Sequence, residues 1–401
     1  MSLALLLPDM PVRRGTSCPQ LDFALMTAVV ALFSLGLVMV ASASMPVAER
    51  LGVSTLHFIA RQTMYLFIGL ALGLLVLRIK LVWWEQGSLL CILLAILMLM
   101  VVLVPGVGVE VNGSTRWINL GLFRLQVSEP AKLLALVYMA GYLVRHGEAV
   151  RETSAGFIKP LALLLVAAVL LLMEPDFGAT VVMMSSVLVM MFMAGVSLWK
   201  FTGLIGVAVA AFAALAVSSP YRLERLTTFL NPWADPFDTG FQLTQSLMAI
   251  GRGELFGVGL GASVQKLFYL PEAHTDFVFA VLAEELGLAG ILVLLGLYLF
   301  IILRAYRIAS VADQAGNPFA AYLAYGIGTW LGLQALINIG VNTGLLPTKG
   351  LTLPLMSYGG SSMLVTCVAI ALLLRIDFET RCTVNNFPAS GVSMRPRRSG
   401  R

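Results

Sequence analysis

Long runs of apolar residues recur along this 401-residue chain, and short polar segments separate them. Within each run the apolar character is continuous and does not alternate, which predicts helices and disfavours the strands of a transmembrane barrel. Most runs are long enough to cross a bilayer as a helix. We interpret the pattern as ten spans, at 22–43, 57–78, 88–104, 128–144, 157–173, 177–196, 200–219, 277–303, 320–342 and 352–375.

Composition strengthens this interpretation. Hydrophobic residues make up 59% of the chain and charged residues only 12%, and the mean hydropathy is +0.91. The predicted fold class is therefore an all-α polytopic membrane protein with about ten transmembrane helices. The sequence pI of about 9.1 comes without a basic stripe, so we expect no nucleic-acid partner.

The distribution of Lys and Arg predicts the orientation of the spans. An even number of spans places both termini on one side, and that side carries about twice as many Lys and Arg residues as the other. Both termini are thus predicted to be cytoplasmic. The predicted organisation is an N-terminal tail at 1–21, a ten-helix domain at 22–380 and a disordered C-terminal tail at 381–401.

Two external loops are long enough to carry function. The longer, 220–276 between spans seven and eight, has apolar residues at Phe241, Leu243 and Leu247, a spacing that predicts short interfacial helices. The other, 105–127, alternates apolar and polar residues and is compatible with either a hairpin or an interfacial helix.

Ionisable residues inside membrane spans are costly and are therefore functional candidates. The topology places Arg61, Glu129, Lys132 and Asp276 at the same depth, near the outer face. Two cations at this depth suit a diphosphate, and a carboxylate beside them could accept a proton as a general base. The sequence therefore predicts an outward-facing site for an amphiphile whose tail stays in the lipid.

Structural explanations for the same residues stay open. Glu129 and Lys132 could form a buried ion pair, and Arg61 could extend to the interface. Along an ideal helix Glu284 and Glu285 lie about 12 Å from Asp276, so we interpret them as interior anchors.

The stretch around Asp276 also raises the question of a metal. Glu272, His274 and Asp276 stand at alternate positions, but no second ligand cluster has a recognisable spacing, so the metal ligands are unknown. A divalent cation shared with substrate phosphates is the form of metal site that remains open.

Several motifs together resemble one family. They are "NTGLLPTKGLTLPLMSYGGSS" at 342–362, "NPWADPFDTGFQLTQSLMAIGRGELFGVGLGASVQKLFYLPEAHTDFVFAVLAEELG" at 231–287, "VMVASASMPVAER" near the start, and the "STRWINLG" and "RLQVSEPAKL" segments. These segments are similar to those of the SEDS family of bacterial shape, elongation, division and sporulation proteins. The likeness covers nearly the whole chain and is greater to the cell-division members than to the elongation members.

The resemblance implies a peptidoglycan glycosyltransferase that polymerises lipid II at the outer face of the bacterial inner membrane, at the division septum. It assigns the family's essential aspartate to Asp276 and cationic cavity residues to Arg61 and Lys132. We also expect Glu129, Lys349 and Ser361 to bind substrate. The resemblance further implies a divalent cation, Mg²⁺ or Mn²⁺, a class B penicillin-binding protein as transpeptidase partner, and other divisome membrane proteins.

Two other functions compete with this one. A lipid II flippase would place its key charges near the bilayer midplane and often shows an internal repeat, and neither feature is visible in the sequence. A non-catalytic divisome scaffold would tolerate replacement of the loop carboxylates. The predicted outer position of the charges favours the enzyme.

Overall fold

The computed structural model shows a bundle of helices that carries one small sheet. The residues that it describes are 21–111, 114–119, 121, 124–203, 205–206, 229, 231–238, 240–267, 270–347 and 350–386.

The elements follow one another in a simple order. The first helices are α1 (Phe23–Arg50), α2 (His57–Arg78), α3 (Leu81–Gln86) and α4 (Ser88–Val102). Three strands follow, β1 (Gly108–Val111), β2 (Ser114–Asn119) and β3 (Arg124–Gln126), and then α5 (Ser128–Glu152), α6 (Ser154–Met173) and α7 (Phe177–Met193). The last helices of the described part are α8 (Phe241–Arg252), α9 (Val278–Gln314), α10 (Pro318–Asn342) and α11 (Gly360–Asn386), with a 3₁₀ turn, Pro232–Ala234, ahead of α8.

Six helices in the described part of the chain are long and apolar enough to cross a membrane, namely α1, α2, α6, α9, α10 and α11. Two shorter apolar helices, α4 and α7, lie between them. The helical membrane class is therefore confirmed. Of the predicted spans, the seventh, 200–219, lies largely outside the described residues, and the total of ten stays a prediction.

The loop at 105–127 contains a three-stranded antiparallel sheet with the order β1-β2-β3. Trp117 pairs with Val109 on one side and with Gln126 on the other. The alternating pattern thus corresponds to a hairpin extended by a third strand, which decides between the two alternatives left open by the sequence. Since β3 is followed almost at once by α5, the sheet lies at the end of the bundle where α5 begins.

The last predicted span, 352–375, differs from the structure at both ends. Helix α11 begins only at Gly360, because the preceding segment is folded into a turn in which the Leu353 N–H donates to Ser357 Oγ at 2.9 Å. The helix then continues to Asn386, past the predicted start of the C-terminal tail at 381. An i,i+4 ion pair, Arg381 to Asp377 at 2.8 Å, stabilises this extension.

Helix α9 is broken near its start. Gly287 has φ 64° and ψ −162°, so the helical hydrogen bonding stops there and resumes after it. The segment 254–259 supplies the missing partners: Val258 N–H donates to Glu284 O at 2.9 Å, and Leu288 N–H donates to Glu254 O at 2.9 Å. The short first half of α9, from Val278 to the break, is therefore capped by the loop that follows α8.

We predict that Gly287→Ala destabilises the protein. A Cβ at this position would lie 2.3 Å from Gly257 N, and φ is in the left-handed region. We expect a loss of about 1–3 kcal/mol, measured as a lower thermal midpoint of the purified protein. The matched control is Gly296→Ala in the same helix, where a Cβ meets nothing within 4 Å. Equal midpoints for the two variants would contradict this account of the break.

Candidate functional site

Asp276 lies in the turn just before α9, and α10 holds its backbone. Its carbonyl oxygen accepts hydrogen bonds from Asn338 Nδ2 at 2.9 Å and from Asn342 Nδ2 at 3.0 Å. Both amides are buried. The side chain of Asp276 faces the backbone of Gly350, where an added Cβ would lie 3.0 Å from Asp276 Oδ2. The position of this carboxylate is therefore set by α10 and by the segment that precedes α11.

The carboxylate of Asp276 has an unusual environment. No hydrogen bond or ion pair joins it to another group within the described residues. Burial, together with the negative charges of Glu272 and Asp176 and against the opposing charge of Arg116, raises the pKa of Asp276 to about 7. A carboxyl group that titrates near neutral pH is well matched to accept a proton from a sugar hydroxyl.

Three amide side chains on α10 form what we call the amide ladder: Gln334, Asn338 and Asn342. They stand at i, i+4 and i+8 on one face of the helix and are all buried. Asn338 Nδ2 also donates to Leu351 O at 2.6 Å, and Gln334 Nε2 donates to Thr352 O at 3.0 Å. The ladder thus positions both the Asp276 turn and the segment at 350–353.

Sequence analysis missed this ladder as a site feature. Its signal is present in the sequence, since Gln334, Asn338 and Asn342 recur every fourth residue in an otherwise apolar helix. Buried amides in such a helix require partners. The pattern does not say which carbonyls they bind.

Lys132 and Glu129 form the buried ion pair that the sequence left open as an alternative. Lys132 Nζ lies 2.9 Å from Glu129 Oε1, and both side chains are almost completely buried. Lys132 also donates to Gln334 Oε1 at 2.8 Å and lies 5.2 Å from the ring centroid of Trp330. In this structure the ammonium is fully engaged, and through Gln334 it is connected to the segment that faces Asp276.

Arg61 is in a different situation, because it is exposed on the first turns of α2. Its neighbour Gln62 donates to Ser357 O at 3.1 Å, which fixes this end of α2 on the turn before α11. Burial raises the pKa of Tyr358, and the positive charge of Arg61 offsets part of this increase. Tyr358 N–H in turn donates to His274 O at 2.9 Å. Arg61 and the Asp276 turn therefore both lie beside the short segment, Ser357 and Tyr358, that precedes α11.

Ser361 binds strand β3 in this structure. Its hydroxyl accepts from Gln126 N–H at 2.7 Å and contacts Arg124 O at 3.2 Å. Lys349, the remaining predicted substrate-binding residue, lies outside the described residues. The substrate-binding roles of both residues remain predictions.

Arg116 on β2 is a cation near the site that sequence analysis did not select. It donates to two backbone carbonyls of the turn between α6 and α7, Glu174 O and Pro175 O, both at 2.9 Å. It also affects the titration of Asp276. The sheet is thereby fastened to this turn, and a positive charge is kept within electrostatic range of the carboxylate.

Glu174 in the same turn is completely buried, and neither carboxyl oxygen has a hydrogen-bond partner in the described structure. Burial and the negative charge of Asp176, against the opposing charge of Arg116, raise its pKa to about 8. The group is therefore neutral at neutral pH. The signal for Glu174 in the sequence, an acid just past an apolar run, is too common to identify it.

Glu284 and Glu285 are both fully buried, which confirms that they lie in the interior. Lys266 Nζ pairs with Glu285 Oε1 at 2.6 Å, and Glu284 accepts from Val264 N–H at 3.1 Å. These contacts tie the loop after α8 to the first half of α9. They lie at the far end of that half-helix from Asp276 and do not join its carboxylate.

His274 is held by aromatic rings. Its ring centroid lies 5.0 Å from that of Phe58 and 5.5 Å from that of Tyr358. Its Nδ1 has no hydrogen-bond partner in the described structure. Among the described residues no group of three or more His, Cys, Asp or Glu could hold a metal ion. The protein groups described here therefore do not form a metal cage by themselves.

The site as a whole combines one carboxylate of raised pKa with nearby positive charge. Asp276 can accept a proton, and Arg61 and Arg116 can favour a developing negative charge. Such an arrangement suits transfer to a hydroxyl group with an anionic leaving group.

Comparison with known proteins agrees with this chemistry. A family model described as "Cell cycle protein" (FtsW/RodA/SpoVE) matches residues 23–382. A protein of Thioalkalivibrio sulfidiphilus named "Probable peptidoglycan glycosyltransferase FtsW" is 62% identical over 90% of this chain and 90% of its own length. A protein of Nitrosococcus halophilus with the same name is 55% identical over 92% of this chain and 95% of its own.

Solved structures show the same fold. A chain from a structure described as "Structural coordination of polymerization and crosslinking by a peptidoglycan synthase complex" has a TM-score of 0.74 and 30% identity, over 90% of this chain and 98% of that one. The rod shape determining protein RodA of Thermus thermophilus has a TM-score of 0.66 and 29% identity, over 89% and 96%. The resemblance found in the sequence is thus confirmed, and the chain belongs to the FtsW/RodA/SpoVE family of cell cycle proteins.

Proposed function

We propose that this chain is a peptidoglycan glycosyltransferase that polymerises lipid II into glycan strands during septal cell-wall synthesis. The observation that carries the proposal is Asp276, whose backbone is held by the amide ladder and whose carboxyl group has a pKa raised to about 7. The names of the FtsW relatives support the same activity.

The proposed reaction is a glycosyl transfer with inversion at the anomeric carbon. The 4-hydroxyl of the acceptor sugar gives its proton to the carboxylate of Asp276, and its oxygen attacks the anomeric carbon of the lipid-linked donor. The bond to undecaprenyl diphosphate breaks, and its electron pair leaves with the diphosphate. Asp276 acts as general base, a role whose typical contribution is about 10²–10⁴-fold in rate.

Positive charge near the site stabilises the departing diphosphate. We propose that exposed Arg61 contacts it directly and that Arg116 contributes at longer range, with Lys349 as a further cation. Lys132 and Glu129 contribute by positioning. Their buried pair holds Gln334, and Gln334 holds the segment at 350–353. Ser361 acts by holding β3 beside the site.

The divalent cation implied by the resemblance remains a proposal. The described residues supply no group of three ligands, so the steps above use only protein side chains and substrate. Magnesium or manganese at this site would take its ligands mainly from substrate phosphates.

The membrane arrangement follows from the positive-inside distribution. We propose ten spans in the bacterial inner membrane at the septum, both termini in the cytoplasm, and the loop 220–276 on the outer side between spans seven and eight. The partners that we propose are lipid II, a class B penicillin-binding protein and other divisome membrane proteins. Support for the transpeptidase comes from the structural relative whose description joins polymerisation with crosslinking.

We predict that Asp276→Asn lowers lipid II polymerisation by about 10²–10⁴-fold, because the amide cannot accept the proton. The measurement is glycan polymer formed by purified protein reconstituted with lipid II and its partner. The control is Glu272→Gln at pH 8, since Glu272 is an exposed loop carboxyl outside the proposed proton transfer. A wild-type rate for Asp276→Asn would exclude the assignment, and lipid II movement across the bilayer without polymer would favour the flippase.

The pH dependence tests the same carboxylate. The base is active when ionised, so kcat/KM is expected to fall about tenfold per pH unit below about 7 and to level off above it. Glu272→Gln removes a charge that raises the pKa of Asp276, and therefore shifts the acid limb to lower pH. Two results would contradict the role of Asp276 as the base. One is a kcat/KM profile that stays flat through neutral pH, and the other is an acid limb that lies at the same pH in Glu272→Gln as in the wild type.

The amide ladder gives a further prediction. Asn338→Ala leaves Leu351 O without its donor, which costs about 1–3 kcal/mol for a buried unpaired group, and leaves Asp276 O with Asn342 alone. We expect kcat to fall at least about tenfold per folded molecule while KM changes less, because Asp276 is misplaced. Leu336→Ala on the exposed face of α10 serves as the control and should keep wild-type kcat. Equal kcat for both variants would remove Asn338 from the positioning role.

A further inference from the structure

A cavity of about 460 Å³ lies at the end of the helix bundle away from Asp276, between the start of α4, the second half of α5 and the start of α6. Helix α5 begins beside the sheet at Ser128, and the cavity residue Tyr142 lies about 20 Å further along it. This cavity is therefore separate from the proposed glycosyltransferase site.

The cavity is lined by polar groups that the protein does not use. Tyr138 lines it and is only 2% exposed, yet its hydroxyl makes no hydrogen bond within the described chain. Lys159 at the mouth has no ion pair or hydrogen bond with any described residue. Among the described residues, Arg145 makes one long hydrogen bond, from Nη1 to Glu85 O at 3.3 Å. Two cations and a buried hydroxyl thus converge on one space.

Neighbouring cations at the same end of the bundle are engaged in structural contacts. Arg151 Nε donates to Ala194 O at 2.5 Å, and Lys200 Nζ donates to Arg151 O at 2.8 Å. Both side chains bind backbone carbonyls and connect helix ends. Arg145 and Lys159 differ from them, because most of their donors face the cavity or solvent.

The lining of the cavity is amphiphilic, with polar and apolar parts. Helix α5 departs from helical geometry at His146, with φ −131° and ψ 22°, and the His146 ring stacks on Tyr142 at 4.6 Å. These rings and the two cations form a polar mouth, while Leu89 and Leu163 supply apolar wall. A ligand that fits both parts carries a charged group and a hydrocarbon portion.

We propose that this cavity binds the phosphate headgroup of an anionic membrane phospholipid, with an acyl chain against the apolar wall. Guanidinium, ammonium and hydroxyl donors together match a phosphate group. The apolar wall and the position beside the starts of the apolar helices α4 and α6 favour a lipid over free phosphate. The contacts assigned to the phosphate are Arg145, Lys159 and Tyr138.

The test is native mass spectrometry of the full-length protein titrated with phosphatidylglycerol. We expect the apparent Kd to rise at least about tenfold in Arg145→Gln/Lys159→Gln and by about threefold in Tyr138→Phe, as for loss of charge-assisted and neutral hydrogen bonds. Lys80→Gln/Arg307→Gln is the matched control, because both residues are exposed cations that do not line the cavity. The control should bind as wild type does.

Three results would overturn the proposal. One is equal affinity of wild type and the cavity variants, and another is an equal loss in the control pair, which would indicate unspecific surface attraction. The third is displacement of the lipid by inorganic phosphate at equal concentration, which would assign the site to a soluble anion. Lys159→Gln alone keeps the test valid if the double variant fails to fold, since Lys159 makes no described contact that folding needs.

Discussion

The amide ladder on α10 is the constraint on which the candidate site depends. An amide group inside an apolar helix bundle must find hydrogen-bond partners, because no water is available to replace them. Asn338 and Asn342 find theirs in the carbonyl of Asp276, and Asn338 and Gln334 find others at 351 and 352. Two segments that are distant in sequence are thereby fixed to one helix face. The carboxylate of Asp276 faces Gly350 because α10 holds both the Asp276 turn and the segment that begins at Gly350.

The break in α9 also helps to position Asp276. A continuous helix would carry Asp276 on a long rigid rod whose position depends on distant packing. Gly287 instead separates a short first half, and the loop at 254–259 satisfies the groups exposed at the break. The buried pair of Lys266 and Glu285 fastens the same loop. The half-helix that follows Asp276 is therefore held at its start by α10 and at its end by the loop.

Electrostatics then separates the charges near the outer end into two kinds. Lys132 is buried and neutralised by Glu129, so its main contribution is to the position of Gln334 and the segment beyond it. Asp276 has no such partner among the residues that the structure describes, and burial together with neighbouring acids keeps its pKa near 7. An unpaired, partly buried carboxylate costs stability, and such costs are typical of functional sites.

The sequence alone predicted much of this architecture. Continuous apolar runs predicted the helices, the charge distribution singled out Asp276, Arg61 and Lys132, and the motifs identified the family. These features are local or compositional, so periodicity and residue type were enough to recognise them. The helix at 241–252 in the long loop was predicted for the same reason.

Only the tertiary structure decided which groups meet. The engagement of Lys132 with Gln334, the role of Arg116 on β2, and the pairing of Asn338 with Asp276 join residues that are about 60 to 200 positions apart. Helical periodicity indicates the face on which a residue lies but not what packs against that face. The break at Gly287 likewise depends on a loop from elsewhere in the chain. The sequence therefore determined the helices and the candidate base, Asp276. Packing determined which groups hold its backbone and how far the pKa of its carboxyl group is raised.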